Sequence, residues 1–267
     1  MSVDIVVPAS EFPELIVTVP DGWPCVKIAP LYDVHLGHSL HATDTFLRHI
    51  EWLKSEPYLL SFNGGDLIEN AIQGSPGILT GQKVIPDEQF DAAVAIIEPF
   101  RDKLLFAIPG NHEARSMRMC GFDIAKHLAR ECNKLAYFPD YVFVTIKWKG
   151  QNFKLVAHHG TGAAQTPGGQ RNAARKDLPS IGGADIFWTG HLHQPIVDLV
   201  YRTDYEQSTG RMVTRQCFVI VSPSYLKYFG GYAAAKRLAP GVLGLTVVTL
   251  RADGRMDAEI HSQGKRL

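Results

Sequence analysis

Seven side chains scattered between positions 33 and 193 are of the kinds that grip divalent cations: Asp33, His35, Asp66, Asn111, His159, His191 and His193. Two carboxylates, four imidazoles and one amide oxygen form a mixed nitrogen and oxygen set. Such a set suits Mn, Fe, Zn, Ni or Co better than Ca or Mg, which prefer oxygen throughout. Seven donors exceed the needs of one tetrahedral ion and suit two ions sharing a carboxylate. Asp33-Val34-His35 and His191-Leu192-His193 each place two donors at i and i+2, the same side of an extended strand. At a strand end such a pair grips one site or diverges to two adjacent ones. The glycines before Asp66, Asn111 and His191 permit sharp turns and close backbone approach.

These donors need elements to position them, and the flanking sequence supplies a recurring pattern. Apolar runs end abruptly in polar clusters. Val26–Tyr32 leads to Asp33 and His35, Tyr58–Phe62 to Asp66, and Leu104–Ile108 to Asn111 and His112. Phe153–Ala157 leads to His158 and His159, and Ile186–Trp188 to His191 and His193. The runs have the length of buried strands, and most stop at a turn signal. Helical spacing of apolar residues recurs in Thr43–Ser55, Glu88–Phe100 and Phe122–Cys132. Strands alternating with helices imply an α/β sheet, with ligand sites at the strand C-termini. Tyr141–Trp148, Cys217–Val221 and Leu243–Leu250 read as strands with few helices between them, hence a second, partly antiparallel sheet packed on the first. Leu15–Val19 is expected to be an edge strand or arm. The expectation is one α/β domain over residues 1–267, a four-layer sandwich of two mixed β-sheets flanked by helices.

Bulk composition narrows the classes. The 267 residues carry 27 Lys plus Arg against 27 Asp plus Glu. This balance gives no support for a partner held mainly through a basic field, such as nucleic acid. The four cysteines, Cys25, Cys120, Cys132 and Cys217, include no C-x-x-C pair and are too sparse for a disulfide scaffold, so they read as reduced thiols. The N-terminus lacks a basic segment followed by an apolar one, and no run reaches the ~18 apolar residues of a membrane span. A soluble, cytoplasmic protein with no membrane partner is expected.

In order along the chain, Asp33-x-His35, Gly65-Asp66, Gly110-Asn111-His112-Glu113, His159-Gly160 and Gly190-His191-x-His193 resemble the five motifs of the calcineurin-like metallophosphoesterases. The stretches around Gly65–Asn70 and His158–Gly162 resemble a phage-type branch. The resemblance spans residues 33–193 and implies a metallo-dependent phosphatase-like fold. It implies two divalent ions, Mn2+ foremost, with Fe, Ni, Zn or Co as alternatives. Asp33, His35, Asp66 and His193 would hold the first ion. Asp66 would bridge, and Asn111, His159 and His191 would complete the second. His112 would face the substrate as general acid, while a hydroxide bridging the metals attacks phosphorus. The implied reaction is hydrolysis of phosphodiesters, with monoesters as further substrates, of a small molecule or nucleotide. A nuclease acting on DNA or RNA and a non-catalytic scaffold of the same fold are the alternatives. Scaffolds of this kind typically lose donors or the motif histidine, and here all are intact.

Other residues stay open at this level. Either His158 or His159 fits the fourth motif; the histidine before glycine is favoured, which turns His158 to the opposite face. Arg115 fits a phosphate contact and a structural role equally. Gly160–Gly169 reads as a loop at the site rim, without the G-x-x-x-x-G-K-S/T pattern. Arg171, Arg175 and Lys176 read as a solvated helix face. His38, His41, His49, His127 and His261 read as surface or core residues, His38 and His41 being the nearest exceptions. Tyr225, Tyr228, Phe229 and Tyr232, interleaved with Lys227, Lys236 and Arg237, read as a packing or subunit surface, which leaves a homo-oligomer open.

Overall fold

A computed structural model describes residues 2–75, 81–132, 135–162, 164–206, 208–262 and 265–266, apart from the Tyr232, Lys265 and Arg266 side chains. In chain order the strands are β1 (Asp4–Val6), β2 (Glu14–Thr18), β3 (Val26–Ile28), β4 (Leu59–Asn63), β5 (Leu104–Ala107), β6 (Ala136–Tyr137) and β7 (Val142–Trp148). They continue as β8 (Gln151–Ala157), β9 (Ile186–Thr189), β10 (Ile196–Glu206), β11 (Arg211–Val221), β12 (Gly244–Leu250), β13 (Met256–Ser262) and β14 (Lys265–Arg266). The helices are α1 (Thr43–Ser55), α2 (Pro86–Ile97), α3 (Glu113–Cys120), α4 (Ile124–Glu131), α5 (Pro167–Ala174) and α6 (Tyr232–Ala235).

Two mixed sheets result. One runs β1-β2-β7-β8-β9-β11-β10, the other β14-β13-β12-β3-β4-β5-β6. Strands β3 to β6 are mutually parallel, while β12 joins β3 antiparallel. In the other sheet, β8, β9 and β11 are parallel, and β7 and β10 are antiparallel to their neighbours β8 and β11.

Side-chain alternation builds the layers. On β7, Val142, Val144, Ile146 and Trp148 point into the space between the sheets, meeting Leu60, Phe62, Leu105 and Ile28 from the facing sheet. The intervening Phe143 joins Val156, Phe187 and Val219 beneath α5 on the outer face. Opposite, Leu59, Leu104, Leu245 and Val247 pack against Phe46, Ile50 and Leu53 of α1 and Ala93 and Ile97 of α2. Helices, sheet, sheet and helix therefore form the four expected layers, since each amphipathic face buries against the next element. Among the described residues no helix is long and apolar enough to cross a membrane, and all four cysteines are free.

Several expected boundaries shift. Helix α1 coincides with the expected segment. Helix α2 starts two residues early, at Pro86, and a 3-10 turn over Glu98–Lys103 replaces its end. Proline presets the first helical φ, and Glu88 accepts the Ile85 N–H at 3.2 Å, which sets this start. Asp123 caps α4 by accepting the Lys126 N–H at 3.0 Å, trimming the expected Phe122 start. Strand β2 is not an edge: β1 covers one side and β7 the other. The expected Gly160–Gly169 loop ends early, because Thr166 accepts the Gly169 N–H and Pro167 opens α5; Ala163 of that loop lies outside the described residues.

Candidate metal centre

The five motif clusters stand at the C-terminal ends of five parallel-paired strands drawn from both sheets: β3, β4 and β5 in one, β8 and β9 in the other. Packing the sheets face to face brings those ends together. Backbone hydrogen bonds tie neighbouring loops, from Asp33 N–H to Gly65 O at 3.1 Å and from His35 N–H to Asp66 O at 2.9 Å. Across the sheets, the Tyr32 hydroxyl reaches the His158 and Trp188 carbonyls, both at 3.2 Å.

All seven candidate donors converge. His35 Nε2 lies 3.2 Å from His193 Nε2, and His193 Nε2 lies 3.3 Å from Asp33 Oδ1. Asp66 Oδ2 is 3.3 Å from His159 Nε2 and 3.9 Å from His35 Nε2, so it stands between the two groups of histidines. Asn111 Oδ1 sits 3.1 Å from His159 Nε2 and 2.7 Å from His191 Nδ1. Among the described residues three sets are compact enough for an ion: Asp33, His35 and His193; Asp66, His159 and His191; and His35, Glu69 and His112, the last sharing His35 with the first. His159 faces the cluster. His158 points away, with Nε2 3.0 Å from Asp177 and its ring 4.7 Å from that of Tyr141.

The backbone is bent to achieve this. Among the described residues nine non-glycine positions have positive φ, and five of them are Asp33, His35, Asp66, His191 and His193. Non-glycine residues visit this region rarely, and concentrated strain of this kind marks functional sites. Glycine is needed where chains approach closely: a Cβ at Gly110 would lie 2.1 Å from Asp66 Oδ1, and one at Gly190 would lie 2.5 Å from Asp33 Oδ2.

Outer partners orient the donors. His35 Nδ1 meets Glu69 Oε2 at 3.0 Å, His159 Nδ1 meets Gly64 O at 3.0 Å, and His191 Nε2 meets Gly162 O at 2.9 Å. Each contact places the proton on the outer nitrogen and turns the other nitrogen inward. Buried Glu113 accepts the N–H groups of Asp66 and Gly110, both at 2.9 Å, and of Ile68 at 3.2 Å. Burial, followed by the Asp66 charge, pushes Glu113 up to about 7. Asn70 donates to the His112 carbonyl at 2.7 Å.

The electrostatics match a cation site. Burial works against ionising Asp66, but His159, His112 and His35 outweigh it and hold that carboxyl well below the usual range. Asp33 is also lowered against burial, chiefly by His193. Burial opposes protonation of His159, yet Asp66 and Asp33 raise it to about 10. Asp33 Oδ1 is buried without a hydrogen-bond partner. A buried carboxylate oxygen that lacks a partner and is aimed at imidazole nitrogens fits a cation.

His112 borders this group, its Nε2 3.8 Å from Asp66 Oδ2. Its Nδ1 meets the Glu69 carbonyl at 2.6 Å, and Arg115 Nη2 donates to its Nε2 at 2.8 Å. Burial foremost, with His35 and Arg115 adding and Asp66 and Glu69 opposing, lowers His112 to about 4. Arg115 also donates to the Glu69 carbonyl at 3.0 Å, so it anchors this loop as well as touching His112.

The remaining candidates divide. His49 bonds the Tyr225 hydroxyl at 2.9 Å inside the core, while His41 and His38 lie near the centre without joining the donor groups. Tyr225 is buried, Phe229 is exposed, and Tyr228 bonds the Leu238 carbonyl, so these aromatics share no single stripe; the Tyr232 side chain lies outside the described residues. Arg175 is clamped on Asp198 at 2.5 Å, with Arg171 at 3.9 Å from the same carboxylate. Glu69, Glu113 and Asn70 have roles that the donor pattern alone did not assign. Their signal was a set of polar residues directly beside Asp66 and Asn111, in segments without exposed-face periodicity.

The chain belongs to the calcineurin-like phosphoesterase family, whose model matches residues 33–206. No curated protein matches the sequence. Among solved structures, a metallophosphoesterase from Sphaerobacter thermophilus is 14% identical with a TM-score of 0.44, covering 91% of this chain and 88% of its own. A Streptococcus pneumoniae TIGR4 protein, described as a predicted phosphoesterase, is 15% identical with a TM-score of 0.39, over 91% and 92% of the two chains. A Thermotoga maritima protein solved by NMR is 14% identical with a TM-score of 0.35, over 89% and 99%.

Proposed function

We propose that this family member hydrolyses phosphate diesters, and monoesters less readily, with two divalent ions held by the seven converging donors. The convergence of Asp33, His35, Asp66, Asn111, His159, His191 and His193 is the observation that supports this reading. Asp66, standing between the two histidine groups, is the proposed bridging ligand, with Asp33, His35 and His193 on one side and Asn111, His159 and His191 on the other. Mixed nitrogen and oxygen donors suit Mn2+, Fe, Ni, Zn or Co better than Ca or Mg, and the family resemblance puts Mn2+ first. Bound ions of this kind supply an activated water and offset charge on the phosphoryl oxygens.

The chain's own residues supply the rest. Glu69, Gly64 and Gly162 fix the imidazole tautomers and orientations. Glu113 holds the Asp66 and Gly110 turns in register. His112 would donate a proton to the departing alkoxide. Its Nε2 accepts from Arg115 and carries no proton of its own, so Arg115 must first turn to a phosphate oxygen, a charge-assisted acceptor, and Nε2 must then take up a proton from water before passing it on. The free cysteines support a reducing compartment, consistent with the cytoplasm.

The test is turnover of bis(4-nitrophenyl) phosphate and 4-nitrophenyl phosphate with Mn2+, Ni2+, Zn2+, Fe2+ and Mg2+. The reading expects metal-dependent release of 4-nitrophenol, faster from the diester and stopped by a chelator. No hydrolysis with any ion rejects it.

A further inference from the structure

Strand β10 is 11 residues long and closes one end of its sheet. Strand β11 pairs with it in unbroken antiparallel register, from Ile196↔Val221 to Glu206↔Arg211. Among the described residues no strand lies on its other side. A free edge of this length presents a row of backbone N–H and C=O groups able to pair with a further strand. Proline, lysine and a bulge, devices that commonly blunt such an edge, are absent from Ile196–Glu206.

The two faces of this strand differ. Tyr201, Thr203 and Tyr205 share one face, where the tyrosines are 68% and 73% exposed. Exposed Met212 lies opposite Tyr205 on β11 and extends that face. Arg202 and Asp204 are half-buried on the other. Among the described residues the Asp204 side chain enters no hydrogen bond or ion pair. Arg202 donates to the Ile181 carbonyl at 3.3 Å, and among the described residues it forms no ion pair. Opposite it on β11 stands a like charge, Arg215, which itself meets Glu206 at 3.3 Å.

A strand that extends this sheet must answer both faces. In antiparallel pairing, directly opposed residues share a face. A second copy related by a two-fold axis normal to the sheet is therefore centred on one residue of β10. Centring on Thr203 opposes Arg202 to Asp204 and Tyr201 to Tyr205, each twice, once from either copy. Centring on Tyr201, Arg202, Asp204 or Tyr205 sets like charges face to face, and centring on Leu199 pairs no charges. Centring on Val200 calls on Asp198, which Arg175 already holds at 2.5 Å.

We propose that β10 pairs antiparallel with β10 of a second copy, centred on Thr203, so that two seven-stranded sheets join as one in a two-fold dimer. Two ion pairs on one face and two tyrosine pairs on the other make the patch self-complementary. Ile196, where β10 leaves the metal centre, stands roughly 23 Å of strand away from Thr203. The two centres therefore lie toward opposite ends of the joined strands.

Sedimentation velocity of the full chain at about 100 μM should give a dimer of twice 29.5 kDa, since a Kd of about 10 μM leaves most chains paired there. Arg202→Glu and Asp204→Arg each turn two attractive contacts into two repulsive ones. Each should weaken dimerisation about tenfold or more. Two recoveries separate this effect from misfolding. The Arg202→Glu/Asp204→Arg double variant restores opposite charges across the axis and should dimerise within about threefold of wild type. An equimolar mixture of the two single variants should form a heterodimer, because every charge pair between them is of opposite sign. A monomeric or open-ended wild type overturns the proposal, and so does a dimer that either single variant leaves unweakened. Recovery missing from the double variant or from the mixture overturns the Thr203 register, and the proposal with it.

Discussion

Glu69 Oε2 meets Nδ1 of His35 at 3.0 Å, and the ring is thereby turned with Nε2 toward His193 and Asp66. Both partners are buried, so solvent does not compete for the contact. Outer carboxylates of this type raise ligand basicity and fix ring orientation. Glu69→Ala should weaken metal binding about 10- to 100-fold, read by competition with a chromophoric chelator. Glu69→Gln, which keeps an acceptor oxygen, should fall between. Unchanged affinity in Glu69→Ala would remove Glu69 from the site.

His112 is not among the seven donors, and its main-chain N–H, which a ring deletion leaves in place, donates to the Asp66 carboxylate Oδ1 at 2.7 Å. His112→Ala should therefore keep its metal content. Turnover of diesters with poor leaving groups should drop by about 10²–10⁴-fold, and 4-nitrophenyl esters should suffer less. Equal losses on both kinds of ester would contradict proton donation.

Among the described residues Glu113 alone satisfies the N–H groups of Asp66, Ile68 and Gly110. Each unpaired buried donor costs about 1–3 kcal/mol. Glu113→Ala should destabilise the fold by at least about 3 kcal/mol in chemical denaturation. A change within about 0.5 kcal/mol, the range of an ordinary surface substitution, would mean that water or another group takes over.

His49 provides a pH prediction away from the centre. It sits on the buried face of α1 against Tyr225, and burial, with His261 and Arg48 adding, lowers it to about 4. The unfolded chain titrates near the ordinary histidine value of ~6.5. Between these values the unfolded state binds the extra proton, so stability is intact above ~6.5 and declines as pH falls toward about 4. His49→Phe should flatten that part of the curve of unfolding midpoint against pH. A variant curve parallel to wild type would show that His49 does not set the slope.

The architecture was readable where burial enforces a simple period. The buried runs of β4, β5 and β9 and the stripe of Phe46, Ile50 and Leu53 on α1 each fit one periodicity, and their elements lie close to where the pattern puts them. Helix α3 escaped notice because its buried face is Glu113, Arg115 and Ser116, side chains that pattern reading assigns to solvent. They are buried because they carry hydrogen bonds for the Asp66 and Glu69 loops. Strand β10 escaped for the opposite reason: its half-buried face carries Asp198, Arg202 and Asp204 while Leu199, Tyr201 and Tyr205 are exposed, so the apolar pattern does not mark the inner side. The seven donors could be named from their types and order, but their convergence depends on two sheets meeting, which no local pattern contains. Arg115 could not be resolved at all in sequence, since its partners are carbonyls of Glu69 and Asn70, more than forty positions away.

Crystals soaked in Mn2+ and measured at the manganese absorption edge test the central claim most directly. Two anomalous peaks are expected, one within coordination distance of Asp33, His35 and His193 and the other of Asn111, His159 and His191, with Asp66 touching both. A single peak, or peaks remote from these side chains, would contradict a two-ion hydrolytic centre.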